Sequence, residues 1–155
     1  SKSMGPGTLF HLITENQDYF AELILDGVHV DLDLSAEILE KMKERIILIT
    51  DAMSAANQSD GQFMIGNKEV VVKNSIARLV AGNNLAGSTL TMDKAFSNAI
   101  SKCGLNLIDA VAISSSHAAK QFNLNDRGVI QVGKRADLLT YDEVTGEITN
   151  LSKFN

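Results

Sequence analysis

The chain has 155 residues, 45% of them hydrophobic and 21% charged, which suits one globular domain with a buried core and excludes a disordered segment. A net charge of −5 and a pI near 5.1, with Lys and Arg scattered, exclude the clustered basic surface that a nucleic-acid backbone demands. The single cysteine, Cys103, allows no internal disulfide, and no CxxC or Cys/His spacing offers a metal site; both fit a reducing cytosol, with Cys103 as packing.

Residues 1–7 are small and polar and carry the only proline, so they read as a linker or cloning remnant. A short strand or helix follows around Leu9 to Ile13. Ala21 to Leu25 is brief and apolar, as in a strand buried on both faces. Ser35 is the expected N-cap of a helix from Ala36 to Lys43, with Glu37 beside the positive end of the dipole and Ile38, Leu39 and Met42 on one face. Ile46 to Thr50 is the next strand, which completes a βαβ unit.

From Gln62 to Leu79 the pattern becomes short alternating runs, Phe63-Met64-Ile65 and Glu69-Val70-Val71-Val72. Gly66-Asn67 and Lys73-Asn74 between them predict hairpins. A helix is expected from Thr89 to Lys102, closed by Cys103-Gly104. A second should run from Leu107 to Phe122 with Ile108, Val111, Ala112, Ala118 and Ala119 inward. Beyond Gly128 the tail is strand-like at Val129-Ile130, Ala136 to Tyr141 and Glu147 to Thr149. No apolar run nears the roughly 18 residues of a membrane span, and no basic-then-apolar signal is present. The expectation is a soluble, cytoplasmic protein.

Two polar groups sit where parallel α/β enzymes keep their chemistry, at the C-terminal ends of consecutive strands. Asp51 ends the second strand and is followed by the small residues Ala52 to Ala56, which leave space above it. A carboxylate there can take a proton from water and return it to a leaving group, although an Asp capping the next turn has the same spacing. His29 follows the first strand in Asp26-Gly27-Val28-His29-Val30-Asp31. The glycine permits a sharp turn and the flanking carboxylates can fix the imidazole tautomer; a satisfied structural histidine is the alternative. His11 and His117 have no partner at ligand spacing, and His117 reads as a helix residue. In Leu85-Ala86-Gly87-Ser88-Thr89 a glycine precedes the predicted helix, where free N–H groups can meet an anion or hydroxyl, or simply start the helix.

The segments Leu25 to Asp31, Leu48 to Met53 and Leu85 to Met92 resemble, in order and spacing, the N-acetylglucosamine-6-phosphate deacetylases. The tail Gly128 to Leu138 is similar to the wider amidohydrolase superfamily, so the likeness runs from about residue 20 to 145. This resemblance implies an α/β fold: the C-terminal part of a metal-dependent (β/α)8 barrel over residues 8–127, with residues 128–155 returning as strands of a small β-domain. It also implies hydrolysis of the acetamide of N-acetylglucosamine 6-phosphate. Asp51, after barrel strand eight, is then the catalytic carboxylate. Asp26, Gly27, Val28 and His29, after strand seven, contact the amino sugar phosphate, as do Leu85, Ala86 and Gly87.

The implied divalent metal, zinc or similar, is held in the family by a glutamate in a His-Leu-Glu-Gly-Pro stretch and two histidines on earlier strands, none of which is in this chain. Met4 and Gly5 stand where an arginine is expected before Pro6-Gly7. Asn57 replaces the usual glycine after the Asp51 loop, and Asn is the next best residue for a left-handed turn. The chain therefore resembles the C-terminal part of a deacetylase, inactive alone and prone to self-association. A metal-free phosphosugar-binding module and a structural remnant are the rival readings.

Overall fold

The computed structural model describes residues 8–151; the readings made for residues 1–7 and for 152–155 lie outside the described residues. Helix α1 (Leu9–Glu15) leads into strand β1 (Ala21–Ile24), helix α2 (Leu32–Met42), a 3-10 turn (Lys43–Arg45) and strand β2 (Ile46–Ile49). The two strands pair in parallel, Ala21 opposite Ile46 through to Ile24 opposite Ile49, as the βαβ reading requires. Their apolar runs are buried because helices cover them: Leu23, Leu25, Ile46 and Leu48 pack with Leu39 and Met42 of α2 and with Ala95, Phe96 and Ala99 of α3 (Met92–Ser101). Each such fully buried leucine is worth roughly 1.5–3 kcal/mol against its exposed state.

Helix α2 begins a turn earlier than predicted. Asp31 caps it, its carboxylate accepting from the Asp33 and Leu34 N–H groups at 2.9 and 3.5 Å. Ser35 lies inside the helix, fully buried, and its hydroxyl donates back to the Asp31 carbonyl at 2.9 Å. The cap position belongs to the residue whose oxygen reaches two unpaired amides, and only Asp31 does. At the other end of the βαβ unit, buried Arg45 donates through Nη1 to the carbonyls of Ile13, Asn16 and Tyr19 at 2.7–2.9 Å, which fixes the loop before β1.

Strands β3 (Gly61–Ile65), β4 (Lys68–Lys73) and β5 (Ile76–Leu79) form a separate antiparallel sheet in that order. Alternation puts Val70 and Val72 inward with Ala77, Ala55 and Ala86, a second small core. The first turn is Gly66-Asn67 as predicted; the second is Asn74-Ser75, one residue later, with both residues at positive φ. Two left-handed residues make the turn that matches strand twist, and the Asp60 carboxylate accepts from both their N–H groups.

The predicted helix from Leu107 to Phe122 is broken into α4 (Leu107–Val111), a π turn (Ala112–Ser116) and α5 (His117–Gln121). The wider turn rotates the apolar stripe, so Ala110, Ile113 and Ala119 are buried whereas Ile108 and Val111 are exposed. The Ser114 hydroxyl donates to the Ala110 carbonyl at 2.8 Å, a side-chain bond back to the preceding turn. His117 is structural: its Nδ1 lies 2.8 Å from the Ile46 carbonyl and its ring meets Phe20 edge-on. In the tail, Val129-Ile130 is not a strand; β6 (Leu139–Tyr141) and β7 (Ile148–Asn150) pair as an antiparallel hairpin. Tyr141 anchors it, edge-on to Phe96 at 5.3 Å. No helix among the described residues is long and apolar enough to cross a membrane.

Candidate functional site

Parallel pairing in the register Ile24 to Ile49 brings the C-terminal ends of β1 and β2 side by side, so the loops carrying His29 and Asp51 leave from one edge. After β1, the Asp26 carboxylate organises its own loop. One oxygen accepts from the Val28 and His29 N–H groups, both at 2.9 Å, and the other lies 2.8 Å from His29 Nδ1. Burial pushes the Asp26 carboxyl up, but these hydrogen bonds and the imidazole outweigh it and hold it below its ordinary value. The carboxylate thus selects the tautomer with hydrogen on Nδ1, which leaves Nε2 as the acceptor nitrogen. Buried Asn98 of α3 steadies the same strand end, its Nδ2 donating to the Leu25 carbonyl at 2.8 Å.

Asp51, after β2, is exposed and adopts φ +50°, a left-handed conformation uncommon for a residue with a side chain. Its carbonyl accepts from Ser88 N–H at 2.8 Å, the Ser88 hydroxyl donates to the Thr50 carbonyl, and Met53 N–H donates to the Ser88 carbonyl at 2.9 Å. Ala52 and Ser88 consequently form a parallel bridge that joins the Asp51 loop to the Leu85–Ser88 segment. Gly87 makes this approach feasible: at φ +65°, a Cβ there would lie 3.1 Å from the Asp51 carbonyl oxygen. Asn57, where the sequence departs from the usual glycine, has φ +62°.

The expected helix start at Thr89 is corrected. Residues up to Thr91 stay extended and α3 begins at Met92, because Ser88 and Thr89 are committed to Thr50, Asp51 and the Ser75 carbonyl. The Leu85–Gly87 segment is therefore a strap across the Asp51 loop, not an open helix N-terminus; Ala86 N–H already donates to the Ala77 carbonyl at 3.1 Å. A pocket of about 420 Å³ opens over this junction, lined by Asp51, Ala52, Met53, Ser54 and Gly87 on one side and Met64 and Ile65 of β3 on the other. The structure thus gathers Asp51 and Gly87 in one pocket, with Ala86 buried behind it in the small core. Ser88, buried at 3% exposure, is the site residue that sequence reasoning missed; its hydroxyl acts across 38 residues, so no local pattern marks it.

No group of three or more His, Cys, Asp or Glu side chains among the described residues could hold a metal ion. Cys103 takes no part in the site: burial, and then the nearby Asp33 charge, push its thiol up, away from the reactive thiolate.

A parallel strand pair under covering helices, with the loops carrying Asp51 and His29 leaving from its C-terminal edge, is an α/β architecture of the kind in which enzymes place polar groups at strand ends. The chain belongs to the amidohydrolase family, whose profile matches residues 12–155. It is 35% identical over 138 residues to a protein of Escherichia coli K12 provisionally called an N-acetylgalactosamine-6-phosphate deacetylase, spanning 88% of this chain and 81% of that one. It also resembles the solved N-acetylglucosamine-6-phosphate deacetylase of Thermotoga maritima, with a TM-score of 0.81 and 35% identity over 87% of this chain. A further likeness is to a D267A mutant of the Mycobacterium smegmatis deacetylase in complex with N-acetyl-D-glucosamine-6-phosphate, with a TM-score of 0.78 and 33% identity over 86% of this chain. This chain spans only 37% and 36% of those two solved chains.

Proposed function

We propose that the polypeptide to which this chain belongs hydrolyses the acetamide of N-acetylglucosamine 6-phosphate to glucosamine 6-phosphate and acetate. The observation that carries the reading is the pair at one sheet edge: Asp51 facing a pocket after β2, and His29 held by Asp26 after the parallel neighbour β1. Asp51 accepts a proton from the water that attacks the acetamide carbonyl and delivers it to the departing amine nitrogen, so that acetate and a free amine result. His29 Nε2 and the Asp26–His29 loop orient the sugar phosphate, while Gly87, backed by Leu85 and Ala86, adds a second contact beside Asp51.

In this reading β1 and β2 are the last two strands of a (β/α)8 barrel over residues 8–127, and β6 and β7 belong to a small β-domain over 128–155. The family's divalent metal would polarise the carbonyl and acidify water. The described residues do not compose its cage. A cytoplasmic setting goes with the reading, since its substrate is a phosphorylated sugar and Cys103 is a free thiol.

Acetate release by the longest native polypeptide carrying residues 1–155, with zinc added, tests the proposal. Activity is expected there and not from residues 1–155 alone. Asp51→Asn should lower kcat about 10²–10⁴-fold with KM little changed, the usual range for a lost general acid–base group. An unchanged kcat would remove Asp51 from the chemistry. If residues 1–155 bind the phosphosugar without metal, and His29→Ala weakens that binding, the chain acts as a binding module instead. The 4-epimer, N-acetylgalactosamine 6-phosphate, is the second substrate to assay, because the Escherichia coli relative is named for it.

A further inference from the structure

We infer that Ser88 is a positioning residue for Asp51, an inference that rests on the deacetylase reading above. The backbone conformation of Asp51 is set by the two peptide planes that meet at its Cα, and Ser88 holds both. Its hydroxyl donates to the Thr50 carbonyl and its N–H donates to the Asp51 carbonyl at 2.8 Å. A left-handed non-glycine residue costs about 1–2 kcal/mol and persists only where the surroundings hold it there. The hydroxyl cannot rotate away freely, since Oγ also accepts from the Leu90 N–H at 3.1 Å and the side chain is buried.

The carbonyl of Ser88 closes the clamp by accepting from Met53 N–H at 2.9 Å, beyond the catalytic position. Thr50, Asp51 and Met53 are thus all tied to Ser88, and Asp51 lines one pocket with Met53, Met64 and Gly87. A hydroxyl-bearing residue is required at 88, because alanine keeps the N–H bond and loses the one to Thr50. The peptide plane before Asp51 is then free to tilt, which displaces the carboxylate without removing it.

Ser88→Ala and Ser88→Thr in the longest native polypeptide test this. Ser88→Ala should lower kcat about 10–100-fold, the scale of an ångström-sized misplacement, with KM within about threefold; Ser88→Thr should recover most of kcat. In the same polypeptide, the three-bond HN–Hα coupling and Cα shift of Asp51 are read by NMR, and Ser88→Ala should move both away from left-handed values. If Ser88→Ala does not fold, Ser88→Cys, of similar volume and a weaker donor, carries the same comparison. A kcat within threefold of wild type together with unmoved Asp51 signals overturns the positioning role. If the wild-type polypeptide releases no acetate, the deacetylase reading fails and the Asp51 signals alone decide: moved, the clamp stands; unmoved, it falls.

Discussion

Asp26 illustrates how one carboxylate makes a loop rigid and pH-dependent at once. Its folded carboxyl sits below the ordinary value of 3.8, with burial opposed and outweighed by the His29 and Val28 hydrogen bonds. A depressed carboxylate contributes stability that is fully present above its unfolded pKa and is lost as pH falls through the folded one. Thermal unfolding should therefore show Asp26→Asn less stable than wild type at pH 7 by about 1 kcal/mol, some 2–4 °C, after allowing for solvent screening. The gap should close once the pH drops below the folded Asp26 pKa. A gap of constant size from pH 7 to pH 2 would mean that the ionised form is not what the loop needs. The Asp26–His29 pairing was legible in the sequence because the two stand three positions apart and a carboxylate reaches that far. The Ser88 clamp was not, since its partners lie on another element and nothing local distinguishes this serine from others.

At the scale of elements, the sequence carried the pieces whose pattern repeats and hid those set by single contacts. The parallel strands and the β3–β5 sheet follow from apolar runs and period-two alternation, which any register must respect. The start of α3 was misplaced because Thr89 and Leu90 are drawn into extended bonds with the β4–β5 turn and the Asp51 strap, and those contacts outweigh helix propensity. The π turn escaped because a single extra residue shifts the helical stripe without changing its composition. The β4–β5 turn makes a direct test possible. Asn74 and Ser75 are both left-handed, and Asp60 holds their amides. Asp60→Ala should cost roughly 0.5–1.5 kcal/mol by denaturant unfolding, since it removes an acceptor from two solvent-exposed turn amides. Ser75→Gly should instead stabilise by about 1 kcal/mol, as glycine meets no Cβ penalty at positive φ. If both substitutions proved neutral, the turn would not be under the strain its dihedrals indicate.

At the scale of the whole molecule, the described residues leave large apolar side chains and strand edges uncovered. Ile130, Val132 and Val144 are 91%, 101% and 95% exposed, and Leu139 of β6 also faces solvent. Next to this tail, a cavity of about 630 Å³ lies between α3, the π turn and the hairpin, with Phe96, Val111, Val129 and Tyr141 among its walls. Among the described residues β1 and β2 form a two-stranded sheet, whose outer edges are open to further pairing. Exposed apolar side chains and open strand edges favour association in water. The 155-residue chain on its own should therefore form dimers or larger species at micromolar concentration, read as mass by light scattering. The test for cause is Ile130→Lys combined with Val132→Lys, which leaves the parallel strand pair and its core untouched. Those substitutions should shift the mass toward monomer if the tail supplies the contact; no shift would point to the β1–β2 edges, and a monomeric wild type would remove the prediction altogether.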